Sequence, residues 1–495
     1  MTAPTGGDTE ITTSSVVVQE KNGTAPVLGN PPLHQKQLVK RQDMTWHDHL
    51  VMLLQLGASI EHALMVQYLY AAYSLGGEQV PLQHQPMVQQ WQETILSVAR
   101  EEMGHLMTVQ NVLTLLGAGI NFNRENFPWD IRYYPFPFVL EPFTRGSLAC
   151  YVYAEMPEDE AFEERQEIKT LAGIDSGVGA HLHTVGEIYS DIIELLGNPE
   201  RIPDSAFDEV SIGMQASWED WGRGYRPDPR PLDAEGNLAK ADAEVDKQAQ
   251  FRAHVMVDRV ATRTQALAAL RALSVQGEGP HGTADGEWSH FKRFIKIFRE
   301  LDTVKVEGWE PARPVPRNPN TLGDPDAPNR PGFITSSRSR DWAQLFNLRY
   351  RLLLNFLAHT FRLARVTRAD EPSQRAILMH RVFGEMYNLK TIAGILVQLP
   401  LHDEVEGDAA RNALRAGPPF EMPYTMSLPP GEADTWCMHL DVIGSSGSVC
   451  HRILSKNPRA EDRAYVETLL NLDEQARQIM LKILEGLGKK ERYWR

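Results

Sequence analysis

The spacing Glu102-x-x-His105, on a segment whose other inward positions are apolar, constrains this chain more than any other feature. Ile95, Val98, Glu102, His105, Val109, Val112 and Leu116 recur at steps of three or four, so on a helix they share one face. An ionised carboxylate on a buried face is costly unless a partner neutralises it. A glutamate and a histidine one turn apart can turn to one point, where a cation neutralises the first and takes the lone pair of the second. One such pair is weak evidence in a chain with 16 histidines. The pattern recurs at Glu287 and His290, and its stripe continues through Phe291, Phe294, Phe298 and Leu301. A third match, Glu278 with His281, encloses Gly279-Pro280, which opposes a helix. An earlier stripe of Leu50, Leu54, Ala58, Glu61, Met65, Tyr68 and Ala72 carries Glu61 at its centre.

Two Glu-x-x-His helices and one glutamate helix call for a second lone glutamate, on the helix between the pairs. Glu187 fills that place, one turn after His183; Glu194, two turns on, is its competitor. The face of Glu187 also holds Ala180, Thr184 and Asp191, so it is not cleanly apolar. The expected metal ligands, and with them the catalytic residues, are Glu61, Glu102, His105, Glu187, Glu287 and His290. Four carboxylates and two imidazoles balance two divalent ions. Oxygen donors with one imidazole per metal suit iron or manganese, and suit structural zinc poorly. The expected cofactors are two iron ions, with a manganese–iron pair fitting the same donors, and dioxygen as co-substrate. The predicted fold class is mainly α: a ferritin-like four-helix bundle with a long crossover, insertions and an extra C-terminal helical region.

The segments Ser59-Ile60-Glu61-His62-Ala63-Leu64 and Arg100-Glu101-Glu102-Met103-Gly104-His105-Leu106 carry a family likeness. So do Gly117-Ala118-Gly119 with the aromatic and proline segment after it, and Glu287-Trp288-Ser289-His290-Phe291. Over roughly residues 45 to 305 the chain resembles the ferritin-like domain of the iminophenyl-pyruvate dimer synthase family. The resemblance implies the bundle, the metal ligands and an oxidative role in small-molecule metabolism. Members of that family couple two imine molecules oxidatively in tryptophan-derived pigment pathways.

Helical periodicity predicts elements over 46–75, 86–116, 177–196, 247–275, 283–301, 341–366, 373–399 and 460–487. Prolines between Phe127 and Phe138 exclude a helix there. Residues 1–40 read as a flexible tail, 41–310 as the di-metal bundle, 311–340 as a Pro-rich linker, and 341–495 as a helical region packed on the bundle. Among other polar residues, Glu101 points away from the stripe of Glu102 and reads as a solvated surface group. His62 reads as an interhelix hydrogen-bond donor, Tyr68 as core packing, and His183 and Asp191 as partners of ligands. Glu155 is a weaker candidate for an added carboxylate. His380 and Glu385 read as polar residues of a helix surface. The aromatic segment from Trp129 to Phe143 is expected to pack over the bundle.

A net charge of -15 gives a nucleic-acid role no electrostatic support. Three cysteines without metal or disulfide spacing favour a reducing compartment, and a cytoplasmic location is expected. The polar N-terminus is unlike a signal peptide, and no run of some 18 apolar residues predicts a membrane span. The expected partner is a small-molecule substrate; an electron donor and a homo-oligomer are left open. The expected function is a non-haem di-iron oxidase or oxygenase that activates dioxygen and oxidises a small, amino-acid-derived molecule in specialised metabolism. The alternatives are an oxidative imine-coupling enzyme, a ferroxidase or iron-handling protein, and a bundle that has become a binding scaffold.

Overall fold

The computed structural model describes residues 40–131, 134–157, 162–174, 184–217, 220, 255–278, 288–322, 331–364, 373–423 and 426–488. Twelve α-helices are found there, and the extended segments make only isolated bridges among the described residues. The first long helix, α1 (Trp46–Ser74), starts at a capping box. Thr45 Oγ1 accepts from Asp48 N at 3.0 Å, and Asp48 Oδ2 accepts from Thr45 N at 3.1 Å. It stops where Gly76 and Gly77 take positive φ (88° and 117°), which side chains disfavour. Its partner α2 (Gln85–Leu115) packs along it, and the two bury Leu54, Ala58, Val98 and Val109 between them and their neighbours.

By length and composition alone, α1 is the one helix among the described residues long and apolar enough to cross a membrane. Two-thirds (67%) of that apolar stretch is buried inside the protein. It is apolar nearly all round because neighbours cover it on several sides.

The crossover contains two helices that periodicity did not reveal, α3 (Arg145–Ala154) and α4 (Arg165–Leu171). α5 (Val185–Gly197) begins later than the predicted 177, with residues 175–183 outside the described set. α6 (Arg263–Glu278) is shorter than the predicted 247–275. Residues 255–262 are not helical. Val255 and Val257 are buried on either side of half-buried Met256, an alternating pattern that suits extended chain. The segment lies along α2, held by Thr108 Oγ1 on Met256 O (3.1 Å) and Asn111 Nδ2 on Asp258 O (2.8 Å). Gly104 admits it: a Cβ there would stand 3.0 Å from Met256 O. α7 (His290–Glu307) completes the bundle, capped by Ser289 and ended by Gly308 at φ 71°.

The C-terminal region consists of α8 (Ser337–Thr360), α9 (Gln374–Leu396), α10 (Ala409–Ala413), α11 (Glu432–Ser455) and α12 (Ala460–Gly486). Their apolar side chains join those of the bundle in one continuous core. His62 on α1 shares a 2.5 Å hydrogen bond with Tyr350 of α8, and Arg124 donates to the same hydroxyl at 3.1 Å. Glu385 is not a surface residue as expected: it is 5% exposed and pairs with buried Arg349 at 3.0 Å. His380 is exposed.

Candidate metal centre

Two of the inward stripes meet at Glu61, Glu102 and His105, and α7 brings His290 to the same place. Glu61 and Glu102 are each 1% exposed, His105 is 4% and His290 is 0%. Glu102 lies between the imidazoles, its Oε2 3.1 Å from His105 Nδ1 and its Oε1 2.7 Å from His290 Nδ1. Glu61 Oε2 stands 3.8 Å from His105 Nδ1. Glu155, the C-cap of α3, supplies the fourth side: its Oε2 is 3.6 Å from His290 Nδ1. Two groups able to hold a cation result, Glu61 with Glu102 and His105, and Glu102 with Glu155 and His290. Glu102 is common to both.

The expected ligand Glu187 does not join them. It is the third residue of α5 and is half-buried. Its carboxylate turns back onto its own helix start, where Oε2 accepts from Thr184 N at 2.9 Å. The Thr184-x-x-Glu187 pair is a capping box, a signal present in the sequence and obscured by reading the helix from 177. Glu194 is exposed. Glu287 and His183 lie outside the described residues. Glu155, weighed as a weaker candidate, stands where the lone glutamate was sought.

Both imidazoles are held through their outer nitrogens. Glu101 Oε2 accepts from His290 Nε2 at 2.8 Å, which turns Nδ1 toward Glu102. Glu101 is 0% exposed, contrary to the expectation of a surface group. Arg293, one turn along α7 from His290, covers it, with Nη2 2.5 Å from Oε2 and Nη1 3.1 Å from Oε1. His105 Nε2 lies 2.9 Å from Gln276 Oε1, so its N–H donates and its Nδ1 likewise faces the carboxylates. Tyr68, taken as packing alone, is fully buried and donates to Glu155 Oε1 at 2.7 Å.

The electrostatics are those of a site short of positive charge. Burial, with the charge of Glu102 beside it, pushes Glu61 up to about 7. Burial opposes a proton on His105, yet Glu102 and Glu61 push it up to about 10. His290 is raised well above the usual imidazole range in the same way, by Glu102 and Glu155. Glu101 behaves oppositely: despite burial, Arg293 and His290 hold it at about 2. Protons are thus favoured on Glu61 and the two imidazoles, while Glu101 stays charged.

Three inward atoms find no hydrogen-bond partner: Glu61 Oε2, Glu102 Oε1 and His290 Nδ1. The last two are 2.7 Å apart. Oxygen and nitrogen atoms crowded together at one buried point are what ligands of a common cation present. The residues therefore fit a pair of metal ions with oxygen donors and one imidazole each, which suits iron or manganese. A cavity of about 20 Å³ adjoins Glu61, Glu102, His105 and Glu155, walled by Tyr189 of α5 and by Leu273, Ser274 and Gly277 of α6. That is room for about one water-sized guest.

Residues 54–299 match the ferritin-like family model, and this part of the chain is a ferritin-like domain. The chain is 28% identical over 406 residues to the dichlorochromopyrrolate synthase of Lentzea aerocolonigenes. That alignment covers 75% of this chain and 36% of the relative, so the chain spans about a third of the length of the curated protein it matches. A crystal structure of a ferritin-like protein from Caulobacter vibrioides aligns with 70% of this chain and 96% of its own, at 16% identity and a TM-score of 0.37.

Proposed function

We propose that this protein is a non-haem di-iron oxidoreductase that uses dioxygen to oxidise a small organic molecule, one derived from an amino acid. The observation that carries the reading is the pair of carboxylate–imidazole groups sharing buried Glu102, whose Oε1 and the Nδ1 of His290 find no hydrogen-bond partner. Glu61, Glu102 and His105 would hold one ion, and Glu102, Glu155 and His290 the other. Bound there, the two irons would supply electrons and open positions for reducing dioxygen. Glu101 and Gln276 hold the imidazoles in the tautomer that turns Nδ1 inward. Tyr68 donates its hydroxyl hydrogen to one oxygen of Glu155, which leaves the other oxygen for ligation. The apolar surround of Leu64, Leu273 and Tyr189 keeps bulk water from the reacting centre.

The similarity to a dichlorochromopyrrolate synthase favours oxidative coupling of two imine molecules as the specific reaction. It runs well beyond the length of the ferritin-like segment. The large C-terminal helical region argues against a bare iron-storage bundle. The test is anaerobic loading with ferrous iron, then air with and without an imine of an aromatic 2-oxo acid. The expected result is about two irons per chain, an oxygen-dependent absorption change and a substrate-dependent product. Iron uptake with oxidation but no organic product would favour iron handling; protein metal-free after iron-replete expression would favour a scaffold.

A further inference from the structure

Gln276 and Gly277 form part of the last turn of α6, and the structure sets both against the metal centre. Gln276 is 2% exposed, and its Oε1 takes the outer N–H of His105 at 2.9 Å. A Cβ at Gly277 would stand 3.0 Å from Glu155 Oε2, inside ordinary van der Waals contact. Glu155 is contacted on two other sides. Its Oε1 receives the Tyr68 hydroxyl at 2.7 Å, and its Oε2 is 3.6 Å from His290 Nδ1. Leu273 and Ser274, about one turn earlier, line the same cavity.

We propose that Gly277 is a positioning residue that gives Glu155 room to change its ligation, while neighbouring Gln276 fixes His105. The end of α6 thereby sets the freedom of one ligand for each metal. A ligand carboxylate must alter its mode of binding when the charge of its ion changes. A methyl group at residue 277 would hold Glu155 in one position, against His290. The two neighbours act oppositely: one restrains an imidazole, the other leaves a carboxylate unrestrained. This inference rests on the metal-centre reading.

The experiment is anaerobic cobalt(II) titration of the full chain, read by visible absorption, with thermal unfolding of the metal-free protein alongside. Wild type should take up about two cobalt ions. Gly277→Ala should keep the ion at His105, bind the ion at His290 about tenfold more weakly, and shift that ion's absorption bands. Gln276→Leu should do the reverse, weakening the ion at His105 about tenfold and sparing the other. Alanine is the better helix residue, so in a Glu155→Ala background Gly277→Ala should leave the metal-free melting temperature unchanged or raised. In the presence of Glu155 it should lower it. Should Gly277→Ala fail to fold even with Glu155 present, recovery in the Glu155→Ala background would still show the crowding. Normal wild-type uptake with unaltered cobalt binding in Gly277→Ala would overturn this inference alone. An equal loss of stability in both backgrounds would do the same. A wild-type chain that takes up no cobalt would overturn the metal-centre reading as well.

Discussion

Glu155 and Glu187 are separated by what their local backbone asks of them. Glu187 is the third residue of a helix begun by Thr184, where an orphan N–H claims its carboxylate. Glu155 sits just past the end of α3, has no such duty, and faces His290. Glu155→Ala is therefore expected to lose one metal per chain, and Glu187→Ala to keep both at a stability cost below about 1 kcal/mol. Metal analysis and urea unfolding measure the two outcomes. The helical step made Glu61, Glu102, His105 and His290 legible, because a charged group in an apolar stripe is conspicuous. The same step misplaced Glu101, whose face is turned from that stripe. Its burial comes from α7, and no periodicity within α2 reports what another helix lays over it.

The raised histidines set a pH dependence. A folded-state pKa of about 10 on His105, above the ordinary 6.5, gives stability that is complete below 6.5 and is lost as pH rises toward 10. Glu61, raised to about 7, contributes in the same direction between 4.5 and 7. The metal-free protein is expected to melt at progressively lower temperature from pH 6.5 to 10, and the metal-loaded protein to escape this, since cations replace those protons. Apparent metal affinity should rise with pH, about tenfold per unit for each proton displaced. Melting curves and competition titrations check both.

At the scale of elements, α3 and α11 were invisible to pattern reading for different reasons. α3 has ten residues behind a proline-rich stretch, too few turns to establish a period. α11 contains Gly444, Gly447 and several serines, poor helix formers that packing against α8 and α12 nevertheless holds in place. Residues 255–262 err the other way, because a segment laid along α2 takes an extended form. α8, α9 and α12 are joined by Arg349, 0% exposed, which pairs with Glu385 at 3.0 Å and Asp473 at 2.5 Å. Burial already pushes both acids above the usual carboxylate range. Arg349→Met would leave them without their cation and is expected to cost about 3–5 kcal/mol, measured as a lower denaturant midpoint. Metal content should not change, since no residue of the triad touches the centre.

For the whole molecule, the bundle was legible because its ligands impose a strict order on its helices. The fit of the C-terminal region was not, since His62 and Tyr350 stand 288 positions apart and neither announces the other. Their bond anchors α8 beside Glu61, so the extra helices share a core with the bundle. Such a region can shape substrate access, a role that a bare storage bundle does not need.

The central claim is that five buried side chains from four segments hold two metal ions. Anomalous diffraction at the iron edge, from crystals of the anaerobically iron-loaded protein, tests it most directly. Two peaks are expected, one among Glu61, Glu102 and His105 and one among Glu102, Glu155 and His290. A loaded crystal with no peak at Glu102, or with iron seated at Glu187 instead of Glu155, would contradict the account.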